Sequence, residues 1–191
     1  VTDLAEQRGM ETEIYQPAED SHLLATVATE EITADERVLE VGTGSGYVAE
    51  HIAEETSASV VATDLNPHAC RAARERGVEA LRADLVSPIR DDTVDVVVFN
   101  PPYLPTDEAE EWNDWMEVAL SGGETGREVI DPFLAVVGRV LAPGGYVLLL
   151  VSSLTGVEAV VETAAESGFS AIALHDESYP FESLTVLKLV Q

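Results

Sequence analysis

The stretch RVLEVGTGSGYVAEHIAEET, Arg37 to Thr56, reads as a strand, a glycine turn and a helix in immediate succession. Its apolar, β-branched start (37–42) suits a buried strand, and the run 46–56 that follows has the spacing of a helix. Working outward, the alternation repeats without a linker, an internal repeat or a low-complexity tract. ASVVATD (58–64) is strand-like, and NPHACRAARERG (66–77) is helix-like, with Pro67 in its first turn and Gly77 at its end. A short strand in VEALRAD (78–84), a strand at 93–99, a helix from about Gly126 to Leu141 and a strand at 146–152 come next. A helix near 154–167 and two apolar runs, around 169–175 and 183–190, complete the chain. Alternation of this kind predicts an α/β fold, a mostly parallel sheet with helices on both faces. The polar DESYPFE between the last two runs suits a closing antiparallel pair. Only the acidic stretch from Thr106 to Gly126 has no evident assignment, and a loop of that length is expected to be functional or mobile.

Composition bounds the function. With 191 residues and 46% hydrophobic content, one domain spanning 1–191 with a sizeable core is expected. No apolar window has the length of a membrane span, and VTDLAEQRGMETE lacks the basic-then-apolar pattern of a signal, so the expected location is cytoplasmic, with no membrane partner. Cys70 is the single cysteine and cannot form an internal disulfide. His22, His51, His68 and His175 lack metal-like spacing, so no metal site is expected. Thirty-six acidic residues against ten basic ones give a formal net charge of −26, and Lys188 is the only lysine. That surface repels phosphates and offers no basic cluster, which makes nucleic acid an unexpected partner. Dense carboxylates and few lysines also suit a protein working in very high salt, where the Debye length falls to about 3 Å at 1 M. On that reading charge says little about any partner.

The glycine turn carries the first chemistry. Gly42, Gly44 and Gly46 let the backbone turn tightly and let a ligand approach where a side chain would collide. The spacing is G-x-G-x-G rather than the G-x-G-x-x-G of dinucleotide sites, and Glu40 stands two residues before the first glycine. A carboxylate there repels a pyrophosphate and attracts a cationic amino group, which points to S-adenosylmethionine. Asp64 ends the second strand and is placed to accept both ribose hydroxyls. Asp84 ends the third, placed to accept from an adenine amino group while Leu85 covers the base. Both aspartates equally suit caps or turn formers. In a doubly wound sheet, however, neighbouring strand tips share one crevice, where Glu40, Asp64, Asp84 and Asn100 would meet.

DVVVFNPPYLP, Asp95 to Pro105, ends a core strand on an amide followed by two prolines. Pro101 biases Asn100 toward an extended backbone, and the prolines fix two φ angles while removing two amide donors. A planar NH2 could then donate to the Asn100 side-chain oxygen and the Pro101 carbonyl while Tyr103 stacks on the flat group. An amide nitrogen is a feeble nucleophile, so orientation must supply much of the rate, and no strong base is needed because the proton can leave after a methyl group arrives.

Together LEVGTGSG, ATDLNP, RADL and FNPPY resemble a class I S-adenosylmethionine-dependent methyltransferase of the N-methylating kind. YQPAEDSHLLA (15–25) and GGETGREVIDPFL (122–134) narrow the resemblance to the HemK/PrmC-like release factor glutamine methyltransferases, in their compact archaeal and eukaryotic branch. The resemblance implies a Rossmann-like domain with a seven-stranded, mostly parallel sheet, one strand antiparallel and helices on both faces. It implies cofactor contacts from Ser21, Glu40, Asp64, Leu65, Asp84, Leu85 and Asn100 around glycines 42, 44 and 46, with Asn100, Pro101, Pro102, Tyr103 and Leu104 holding the substrate amide. The implied substrate is the glutamine of the GGQ motif in a class 1 translation termination factor, methylated on its side-chain nitrogen. The implied partner is a small zinc-binding activator subunit on the sheet edge near Val78–Arg82. The 15–25 segment also suits a plain helix entry capped by Asp20, and Trp112 and Trp115 suit either a core or a grip on the release factor. Two other functions stay open. FNPPY is shared with adenine N6-methyltransferases, although neither a target-recognition module nor a basic groove is present, and a non-catalytic cofactor-binding assembly protein would keep the same glycine turn.

Overall fold

The computed structural model describes residues 14–106 and 115–191. Its first half runs α1 (Glu19–Glu31), β1 (Arg37–Val41), α2 (Tyr47–Thr56), β2 (Ser59–Asp64), α3 (Pro67–Glu75), β3 (Glu79–Arg82) and β4 (Val94–Phe99). The second half runs α4 (Trp115–Leu120), α5 (Ile130–Val137), β5 (Leu141–Ser152), α6 (Val157–Glu166), β6 (Ser170–Ser178) and β7 (Ser183–Val190). The seven strands form one sheet in the order β3-β2-β1-β4-β5-β7-β6. β1 to β5 pair in parallel, and β7 runs antiparallel to both β5 and β6. Chain order reverses between β1 and β4, and a crevice opens above the carboxyl ends of strands at such a point.

Period-two alternation explains why both faces are covered. On β4, Val97 and Phe99 enter the cluster that holds Phe133, Leu134 and Val137 of α5 and Val160 of α6. Their neighbours Val96 and Val98 enter the opposite cluster with Leu24 and Val27 of α1 and Ile52 of α2. A run buried on both sides is what parallel strands require. Each such fully buried side chain contributes roughly 1.5–3 kcal/mol through its apolar area.

Three elements differ from the sequence reading. The helix expected over 126–141 is confined to Ile130–Val137. At its start Gly126 adopts a left-handed φ of 73°, and at its end the Val140 carbonyl is taken by the amides of Thr93 and Val94, so the chain has already joined the sheet. Among its described residues the acidic stretch holds one short helix, α4, and a bridge joins Leu104 to Ser121. Trp112 lies outside the described residues. Finally, Asp20 does not cap α1: the N-cap is Ala18, with no side-chain bond. Among the described residues no helix is long and apolar enough to cross a membrane.

Candidate active site

Above the carboxyl ends of the central strands lies a cavity of about 660 Å³, within the roughly 300–1,000 Å³ range of small-ligand sites. Sheet register brings its parts together. Val41 pairs with Thr63 on one side and with Phe99 on the other, so the residues that follow each strand converge at one level. Ser21, Glu40, Gly42, Gly44, Asp64, Leu65, Asp84, Leu85 and the whole run Asn100 to Leu104 line this cavity. Gly46 stands apart from them. A Cβ there would lie 2.7 Å from the Ala73 backbone, so this glycine serves the close approach of α2 to α3 rather than the cavity wall.

Glu40 is 4% exposed. It accepts a short hydrogen bond from the Thr43 hydroxyl. Burial pushes its pKa up to about 8, the Thr43 bond opposes that rise, and the charge of Asp64 adds to it. Asp64 binds the turn itself: one carboxylate oxygen accepts the Gly44 amide at 2.9 Å and the other the Asn66 amide at 2.8 Å. Burial raises its pKa, and those backbone donors restrain the rise. The turn-forming role is therefore real, while the capping of α3 falls to Asn66, whose side chain accepts the His68 amide at 2.9 Å. A carboxylate has about four lone-pair sites, so beside its Gly44, Asn66 and Leu65 backbone donors Asp64 keeps room for a ligand hydroxyl. Leu65 is 47% exposed within the cavity, and Leu85 flanks the same wall, which leaves apolar surface for a flat base.

At the tip of β4 the Asn100 side-chain oxygen is buried and has no hydrogen-bond partner among the described residues. An orphaned buried acceptor costs about 1–3 kcal/mol, and a donor supplied by a ligand would recover it. Pro101 beside it is buried. The turn is braced from the 120–127 segment: the Leu104 amide donates to the Leu120 carbonyl at 3.0 Å, and the Gly122 amide to the Leu104 carbonyl at 2.9 Å. Gly126 packs so closely that a Cβ would stand 2.7 Å from the Tyr103 carbonyl oxygen. Arg127 ties the segment down by donating to the Thr155 carbonyl at 2.6 Å.

Sequence reasoning missed a second support. Asp20, 4% exposed, accepts the Tyr15 hydroxyl at 2.9 Å and the Ser21 amide at 2.5 Å. Tyr15 in turn lies over Gly44. Burial raises the pKa of Tyr103, and the charge of Asp20, the charge of Glu182 and a side-chain hydrogen bond to Asp20 raise it further. The Asp20 carboxylate thus binds the N-terminal segment and acts through its charge on the proline turn. A signal for it existed: Asp20, Leu23, Leu24 and Val27 are all buried at helical spacing, and a carboxylate on an apolar stripe needs partners.

Residues 38–123 match a family model described as a methyltransferase domain. The MJ0928 protein of Methanocaldococcus jannaschii, named for protein N5-glutamine methyltransferase activity, is 35% identical over 92% of this chain and 90% of its own length. Human methyltransferase HEMK2 is 32% identical over 96% of this chain and 92% of its own length. A chain of the E. cuniculi Mtq2–Trm112 complex, responsible for methylation of the eRF1 translation termination factor, superimposes with a TM-score of 0.78 at 32% identity, covering 94% of this chain and 99% of that one. These likenesses cover more than nine-tenths of the chain, and the chain belongs to the protein N5-glutamine methyltransferases, a family of S-adenosylmethionine-dependent enzymes.

Proposed function

We propose that this protein transfers the methyl group of S-adenosylmethionine to the side-chain nitrogen of the glutamine in the GGQ motif of a class 1 translation termination factor, in the cytoplasm. The observation that carries the reading is the orphaned, buried Asn100 oxygen on a proline-stiffened turn that lines one cavity together with Glu40, Asp64 and Asp84. Bound there, the cofactor supplies an electrophilic methyl carbon on a cationic sulfur. Glu40 balances its ammonium group, Asp64 accepts from the ribose, and Asp84 accepts from the base between Leu65 and Leu85. Ser21 and the backbone at Gly42 and Gly44 close around the methionine end. The Asn100 oxygen and the Pro101 carbonyl take the two hydrogens of the substrate amide, which aims the nitrogen and draws density onto it, while Tyr103 and Leu104 cover its flat face. Holding the two reactants in line is worth about 7–11 kcal/mol at best, and that is the contribution a weak nucleophile most needs. Loss of the proton follows transfer, so the absence of a strong base from this scheme is no obstacle.

A small zinc-binding partner on the β3 edge belongs to the same reading. β3 is the outermost strand at its end of the sheet, only four residues long, and Leu81 on it is 44% exposed. An uncovered edge with an apolar side chain is a template for pairing by another chain.

The test is mass spectrometry of the host's termination factor after incubation with labelled cofactor. A mass increase of one methyl group on the GGQ glutamine is expected with the wild-type protein. Asn100→Ala is expected to lose transfer while keeping cofactor binding, and undiminished transfer by that variant would overturn the clamp. Label in DNA instead of protein would favour adenine methylation.

A further inference from the structure

We infer that the β6–β7 turn, with Phe181 at its tip, is the surface that grips the polypeptide flanking the acceptor side chain; this rests on the protein-glutamine reading above. Phe181 is 93% exposed, yet it lines the same cavity as Asn100. A lone surface phenylalanine needs no account. Three observations set this one apart.

The first is that the turn is braced. The Tyr179 amide donates to the Glu182 carbonyl at 2.7 Å, the hydroxyl of fully buried Ser152 donates to the Glu182 carboxylate at 2.5 Å, and the Ser183 amide donates to the Ser153 hydroxyl at 3.0 Å. A rigidly presented aromatic offers contact area at small entropic cost. The second is position. Glu40, Asp64 and Asp84 belong to the tips of β1, β2 and β3 on one side of β4, whereas β7 and β6 lie on the other, beyond β5. Phe181 therefore stands away from the acidic cofactor wall, on the side where Glu182 acts electrostatically on Tyr103. The third is that the apolar surface continues. Trp115 and Val118 of α4 line the same cavity, and Val118 is 49% exposed. Apolar groups thus stand among Glu19, Asp20 and Glu182 on the lining that Asn100 shares, and a glutamine side chain that reaches Asn100 brings its own backbone to that lining. The occupant is the loop that carries the glutamine.

Two measurements test this with the wild-type protein in parallel. In steady-state kinetics on the intact termination factor, Phe181→Ala is expected to raise KM by roughly ten-fold or more, the size of an interface anchor. Its kcat, cofactor affinity and melting temperature should stay at the wild-type values, since the removed side chain touches solvent. Phe181→Trp should restore KM, which a distorted turn would not allow. Binding of the factor to the Asn100→Ala protein, with and without Phe181→Ala, reads docking apart from chemistry. Methylation by wild type with KM unmoved by Phe181→Ala overturns the docking surface alone. Factor binding that depends on Phe181, without methyl transfer by wild type, overturns the functional reading alone. Absence of both binding and transfer overturns the two together.

Discussion

A carboxyl group enclosed by a glycine turn loses its water, and at Glu40 the loss pushes the pKa up to about 8. Below that pH the ligand-free side chain is mostly protonated, and only its ionised form attracts an ammonium group. Binding a cationic ligand therefore releases a proton, and affinity must rise with pH until the carboxyl is already ionised. Cofactor affinity is predicted to strengthen from about pH 6 toward 8, by at most about ten-fold per pH unit, and to stop rising above, where a free α-amino group with a pKa of about 8 loses the charge that Glu40 binds. Titration calorimetry in buffers of different ionisation enthalpy reads both the affinity and the proton. Glu40→Gln should bind more weakly at pH 8 and lose the pH dependence; a flat wild-type profile would remove Glu40 from the ammonium site. At this scale the sequence showed a good deal, because Glu40, Asp64 and Asn100 each sit at a strand tip whose level follows from chain order. Asp20 was harder to see. Its place on the apolar stripe of α1 marks it as a carboxylate in need of partners, and Tyr15 and Ser21 are local, but its effect on Tyr103 crosses more than eighty positions of chain, so the spacing does not name that partner.

Elements hold the proline turn from two directions, and the 120–127 segment is one of them. Gly126 has a φ of 73°, and an added Cβ would meet the Tyr103 carbonyl oxygen at 2.7 Å and the Thr155 side chain at 3.0 Å. Gly126→Ala would hence bear two costs, a left-handed backbone of order 1–3 kcal/mol and a displaced proline turn. Gly77→Ala separates them, since Gly77 has a φ of 85° but nothing within 4 Å of the added carbon. Both variants are predicted to lower the melting temperature by about 2–8 °C. Only Gly126→Ala should also reduce kcat, by roughly a hundred-fold if the turn moves by about 1 Å. Calorimetry with single-turnover kinetics checks this, and equal kcat values in the two variants would show that the segment does not position the turn. The alternation of strands and helices was legible because burial on both faces writes itself into continuous apolar runs such as the valines of β4 and the leucines and valines of β5. The α5 boundaries were not, because left-handed Gly126 and the bonds from Thr93 and Val94 to Val140 are tertiary events that outrank local helix preference.

Over the whole molecule, a formal charge of −26 on 191 residues sets up a strong self-repulsion. Opposing it are a few partly exposed ion pairs, among them Arg37–Asp95, Arg76–Glu50, Arg139–Asp91 and Lys188–Glu31. Pairs of that kind are worth about 0–1 kcal/mol each, and salt weakens them together with the repulsion. The sum decides the sign. Dozens of like charges several ångströms to tens of ångströms apart feel the Debye length shrink from about 10 Å at 0.1 M to about 3 Å at 1 M, whereas contact pairs under 3 Å are screened least. The melting temperature is therefore predicted to rise with monovalent salt, equally for potassium and choline chloride at matched ionic strength. The same screening reaches the substrate. If the termination factor shares the acidic character, encounter is repulsive at low salt, and KM for the factor should fall as salt approaches molar concentration while cofactor affinity changes little. Steady-state kinetics across a salt series, with cofactor binding measured alongside, distinguishes docking from stability; faster turnover in dilute than in concentrated salt would show that the surface charge attracts this substrate rather than holding it off.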